Sequence, residues 1–167
     1  MRKPKELVYR SSRYGFTLRL PAWWRSFCVV SRSKRDPETE YEAHFEFKYK
    51  GKVYEDIFAL LVYRMTLKEW KEKGYDESPL TFVAQHDGRI FAALTPEELP
   101  YAFYDKKTGD YNYKKYGSAI SLLKRMVNSD VPRILKSVRF ARRSVTMRSV
   151  PYRSRKVWPI RGRCRRK

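Results

Sequence analysis

Apolar and polar residues alternate along much of the first hundred positions, the period of half-buried strands. In residues 14–20, Tyr14, Phe16, Leu18 and Leu20 fall on one side, with Thr17 and Arg19 on the other. Pro21 ends that run, and residues 26–31 follow as a short apolar strand in which Cys28 is a small core residue. Residues 41–50 alternate most regularly. Tyr41, Ala43, Phe45, Phe47 and Tyr49 are expected to face a core, and Glu42, His44, Glu46, Lys48 and Lys50 to face water. Lys50-Gly51 makes a tight turn, and residues 52–63 return as a long strand. Its second half is apolar on both faces, which predicts a central place in the sheet. Residues 80–85 and 89–94 form a second hairpin about the turn dipeptide Asp87-Gly88.

The period then changes to that of helices. Residues 66–74 carry a helix signature, with Thr66 as N-cap, Glu69 completing a capping box and Gly74 as the stop. In residues 113–127, Tyr116, Ile120, Leu123 and Val127 share one helical face. Asp130 is placed to cap a last helix over residues 131–136, with Pro132 tolerated in its first turn, and residues 138–140 suit a short edge strand. Glu97 and Glu98 after Thr95-Pro96 suit the first turn of a helix, where carboxylates meet the positive end of the dipole. The expectation is an α+β domain over residues 14–140, an antiparallel sheet of about six strands with helices packed on it. A short arm (1–13) precedes it, and a basic, extended tail (141–167) follows.

Charge sharpens this division. The 167 residues carry 38 Lys+Arg against 18 Asp+Glu, a formal charge of +20. The last acid is Asp130. Residues 131–167 hold +14 and residues 1–130 only +6. Such an excess points to an anionic partner: nucleic acid, an anionic membrane or a wall polymer. Two cysteines without a CxxC spacing exclude a disulfide framework, and Cys164 lies among arginines. Residues 1–13 are charged and have no apolar h-region, and no apolar run approaches the length of a membrane span.

The run Tyr14-Gly15-Phe16-Thr17-Leu18-Arg19-Leu20-Pro21-Ala22-Trp23-Trp24 resembles the YGFxxxLPxxW opening of small extracytoplasmic domains of Firmicutes, often lipoproteins. Several later landmarks are similar in order and spacing. They are Val29-Val30, the strand through Tyr63 leading to Thr66-Leu67-Lys68-Glu69-Trp70, the hairpin from Asp87-Gly88-Arg89 to Thr95-Pro96, and Asp130-Val131-Pro132-Arg133-Ile134-Leu135-Lys136-Ser137. The resemblance covers about residues 13–140. It implies a PsbP-like α/β/α sandwich and an extracytoplasmic address, with no established chemistry and hence no functional residues to carry over. This chain departs from the pattern in lacking a lipobox cysteine near its start and in its arginine-rich end.

No catalytic grouping emerges from the spacing. There is no GxSxG elbow, phosphate loop or dinucleotide fingerprint, and nothing calls for a cofactor. His44 with Glu42 and Glu46 at i±2 could form a weak cation site, but a solvated strand face explains them better; His86 precedes a turn. The expectation is a non-enzymatic binding domain, with a basic nucleic-acid-binding protein as the alternative. Two features carry that alternative. Tyr101, Phe103, Tyr104, Tyr111 and Tyr113, beside Lys106, Lys107, Lys114 and Lys115, could stack bases or sugars, or else anchor a loop. Arg142, Arg143, Arg148, Arg153, Arg155, Lys156, Arg161, Arg163, Arg165, Arg166 and Lys167 could grip phosphates, with Tyr152 and Trp158 stacking.

Overall fold

The computed structural model describes residues 5–142. Its strands are β1 (Glu6–Ser11), β2 (Phe16–Pro21), β3 (Cys28–Ser31), β4 (Tyr41–Tyr49), β5 (Lys52–Tyr63), β6 (Thr81–His86), β7 (Arg89–Leu94), β8 (Tyr104–Asp105), β9 (Asp110–Tyr111) and β10 (Arg139–Phe140). Its helices are α1 (Leu67–Glu72), α2 (Tyr113–Arg125) and α3 (Val131–Lys136). The class is α+β. The strands form antiparallel sheets of five (β3-β4-β5-β7-β6), three (β1-β2-β10) and two (β8-β9).

The five-stranded sheet is built as its sequence pattern requires. The β4–β5 and β6–β7 turns put Lys50 and Gly51 at φ 47° and 78°, and Asp87 and Gly88 at 52° and 71°. Left-handed conformations at both central residues match the twist of the flanking strands. The doubly apolar end of β5 lies at the sheet centre, paired with β4 on one side and β7 on the other. One face of the sheet meets β1, β2, α2 and α3 in the main core around Trp24, Phe45, Phe58 and Phe91. The other face is covered in part by α1, through Trp70, Tyr63 and Ile90. Helices therefore lie against both faces. Thr66 caps α1 by accepting the Glu69 amide at 3.1 Å, and Gly74 leaves the helix in the left-handed region.

Four expectations are corrected. Residues 6–11, within the expected arm, form β1, which pairs with β2 along its whole length and buries Leu7 and Tyr9. Rather than one sheet of about six strands, the strands form separate sheets, and the 3-10 turn at Ala22–Ser26 carries the chain from β2 in the three-stranded sheet to β3 in the five-stranded one. Glu97 and Glu98 lie in an exposed loop, since Pro96 and Pro100 bracket a segment too short for a helix. Asp130 does not cap α3. It sits in a π-helical turn (Met126–Asp130) between α2 and α3, and its buried carboxylate accepts the Trp24 indole N–H at 2.9 Å. That turn joins the two helices into one bent segment.

Candidate polyanion-binding surface

The C-terminal end of β5 gathers turns from distant parts of the chain. The β1–β2 turn brings Ser12 and Arg13, the end of β3 brings Arg32 and Lys34, and the β6–β7 turn brings His86 and Arg89. The chain leaves β10 here as well, because the Ala141 amide donates to the Gly15 carbonyl at 2.7 Å and so fixes Arg142 beside that turn. Tyr14 is the centre of this end. Its ring is buried and lies between two guanidiniums, with Arg13 at 5.2 Å and Arg89 at 5.4 Å from the ring centroid. Burial, then the neighbouring Glu40 carboxylate, pushes the Tyr14 hydroxyl above its ordinary pKa, so it remains a neutral phenol.

Arg89 is held by Glu40 through a two-pronged contact, Nε at 2.6 Å and Nη2 at 3.3 Å. The Arg89 hydrogen bond holds the Glu40 carboxyl below its usual range. Arg13, Lys34 and Arg142 are exposed, and none of the ion pairs among the described residues includes them. The surface thus combines a fixed arginine with three cations open to an incoming anion. Two recesses indent it, of 290 Å³ and 230 Å³, and both are walled by Ser12 and Arg13.

The other predicted site residues divide. Of the arginine-rich set, Arg142 belongs to this surface, whereas Arg143, Arg148, Arg153, Arg155, Lys156, Arg161, Arg163, Arg165, Arg166 and Lys167 lie outside the described residues, with Tyr152, Trp158 and Cys164. The aromatic loop is at the opposite end of β5. Phe103 is fully buried, 4.8 Å from Tyr54 and stacked on Tyr116 at 4.7 Å, so it has no face to offer a base. Tyr111 is half-buried. Tyr101, Tyr104 and Tyr113 are exposed, with Lys106 over Tyr101 and Lys124 over Tyr113. Phe103 touches β5 at Tyr54, while Phe140 packs on Phe91, the partner of Val62. Eight strand steps separate these points, roughly 25 Å. The register of β5 therefore sets Arg142 apart from the aromatic loop.

Near that aromatic end lies a cleft of 610 Å³ lined by Arg35, Glu55, Asp56, Leu94, Glu97 and Glu98. Behind it is the largest correction to the sequence reading. Glu42 and His44 do not face water; both are buried under the loop of residues 32–39. His44 Nδ1 lies 2.6 Å from Asp56 Oδ2, and Nε2 lies 3.3 Å from Glu42 Oε1. Glu42 Oε2 accepts the backbone amides of Arg35 and Asp36, and the Arg35 guanidinium reaches Glu46 and Asp56 at 3.3 Å each. Asp56 Oδ1 is buried without a hydrogen-bond partner among the described residues. The cluster closes on itself, with His44 spanning two carboxylates. Among the described residues, no group of three or more His, Cys, Asp and Glu side chains is placed to hold a metal. Comparison with family models, curated proteins and solved structures finds no match for this chain.

Proposed function

We propose that this protein is a non-enzymatic binding domain whose ligand is a polyanion, with nucleic acid as the first class. The observation that carries the reading is the convergence of Arg13, Arg32, Lys34, Arg89 and Arg142 at the end from which the last 25 residues depart. Those residues hold ten Lys+Arg and no acid. A basic surface continued by a basic segment suits sequence-independent phosphate contact, and counterion release makes such binding salt-sensitive. The opposite end mixes Glu55, Glu97 and Glu98 with Arg35, Lys106 and Lys124, so the basic recesses are the surface that best suits a polyanion.

The test is binding of the full chain to unrelated RNA and DNA oligonucleotides over a salt series. The affinity is expected to fall by at least tenfold between low and moderate salt, equally for all sequences. A chain ending at Arg142 is expected to bind at least tenfold more weakly, with a shallower salt slope. No binding even at low salt overturns the reading. The motif order from Tyr14 to Ser137 supports a second reading, an extracytoplasmic domain whose anionic partner is a membrane or wall polymer. Tighter binding to anionic lipid vesicles than to any oligonucleotide would favour it.

A further inference from the structure

We propose that the Ser12-Arg13 turn is the shared wall of two adjoining phosphate subsites, which seat successive phosphates of one single-stranded nucleic acid. The inference rests on the polyanion reading and adds where, and in what register, the strand lies. The first recess, of 230 Å³, is formed by Arg13, Tyr14, His86, Arg89 and Arg142; the second, of 290 Å³, by Ser11, Ser12, Arg13, Arg32 and Lys34. Both are smaller than ordinary pockets for drug-sized ligands, about 300–1,000 Å³, which suits a compact anionic group.

The walls are held by contacts that do not depend on a ligand. The Tyr14 amide donates to Ser11 Oγ at 3.3 Å, and the Ala141 amide donates to the Gly15 carbonyl. The His86 ring stacks on Phe140 at 4.1 Å, which ties the β6–β7 turn to the end of β10. The recess walls also carry acids, Asp87 in the first and Glu40 and Glu42 in the second. Glu40 is engaged by Arg89, and Glu42 by His44 and the amides of Arg35 and Asp36. The Arg89 guanidinium also lies 3.8 Å from the Asp87 carboxylate. Their charge is thus turned toward protein donors, while Arg13, Lys34 and Arg142 extend outward. Among the described residues, the groups that face these recesses sit on turns and strand ends, and no helix projects from them. The surface therefore contacts backbone rather than base edges, and a flexible strand can lower consecutive phosphates into neighbouring recesses.

The register is tested on the full chain by the salt dependence of binding to an oligothymidylate and to a mixed-sequence oligonucleotide of equal length. Arg13→Gln, Arg32→Gln and Arg142→Gln each remove one positive charge and are expected to lower the salt slope by about 0.7 each, with the largest loss of affinity for Arg13→Gln, the group common to both recesses. The Arg32→Gln and Arg142→Gln losses should multiply, whereas Arg13→Gln combined with either should cost less than the product. Lys73→Gln, on the remote α1 side, should change nothing, and all variants should melt with the native chain. If Arg13→Gln behaves like Lys73→Gln while the native chain keeps a steep slope, the subsites are wrong and the polyanion reading stands. If the native chain binds neither oligonucleotide, both fall. If Arg13→Gln weakens binding to phosphatidylserine vesicles but not to the oligonucleotides, the recesses serve a lipid headgroup and the strand assignment is overturned.

Discussion

His44 stands between two acids, with Nδ1 2.6 Å from Asp56 Oδ2 and Nε2 3.3 Å from Glu42 Oε1. Removing the ring leaves the buried Glu42 carboxylate and the half-buried Asp56 carboxylate facing the gap, with the Arg35 guanidinium and the Arg35 and Asp36 amides as their remaining partners. Breaking such an arrangement on one side costs more than the pair contributes, because the remaining charge stays buried and unpaired. His44→Leu is therefore expected to lose about 3 kcal/mol in chemical denaturation. His44→Leu combined with Glu42→Leu should recover part of that loss, and no recovery would argue against the unpaired-charge account. The Glu40–Arg89 contact has a different signature. Glu40 titrates below its usual range in the folded chain, so it adds stability above its unfolded range, and that stability is lost as the pH falls through the folded one. Glu40→Gln should melt below the native chain near neutral pH, by about 1 kcal/mol. The gap should close as the pH falls through the lowered range of folded Glu40, until both chains carry a neutral side chain at this position. Melting curves across that range check both the sign and the window.

Among the elements, the bent α2–α3 segment is held by one polar contact inside an apolar setting. The 3-10 turn at Ala22–Ser26 presents Trp24, which is fully buried, and its indole N–H meets Asp130 in the π turn. Sequence pattern assigns Asp130 to a helix cap because Asp before Val-Pro is a good N-cap in isolation. The structure uses it otherwise, because α2 runs on into α3 and leaves no open amides at that point for the side chain to satisfy. Trp24→Phe keeps most of the apolar volume but strands the buried carboxylate, and it is expected to cost about 2 kcal/mol in thermal melting. Asp130→Asn keeps an acceptor for the indole and should cost less. Equal losses would show that the contact is not what fixes the bend. The β4–β5 and β6–β7 hairpins behave otherwise. Their turn dipeptides and apolar faces are local properties, and their pairing matches expectation from β4 through β7.

In the described domain the basic recesses lie at one end of β5, and the cleft of Arg35, Glu55, Glu97 and Glu98 lies with the exposed tyrosines at the other. The core is complete within the described residues, so a chain ending at Arg142 should keep a cooperative melt within a few degrees of the full chain while losing most of its salt-sensitive binding. Loss of the cooperative transition would place residues 143–167 in the fold itself. The amino-acid sequence by itself determined the class, the two hairpins, the helices and the central place of β5, because periods of two and of about 3.6 residues record which face each element buries. It also located the excess charge after Asp130. The strand at Glu6–Ser11 was legible only weakly: Leu7 and Tyr9 alternate with Val8 and Arg10, and the run ends after six residues. Tertiary structure alone decided the site. Arg13, Lys34, Arg89 and Arg142 are scattered along the chain and meet only because two turns and the chain leaving β3 and β10 close at one end. The same closure buried Glu42 and His44, which alternation had placed in water. Period two tells which side of a strand a residue takes, but not whether a loop from elsewhere will cover that side.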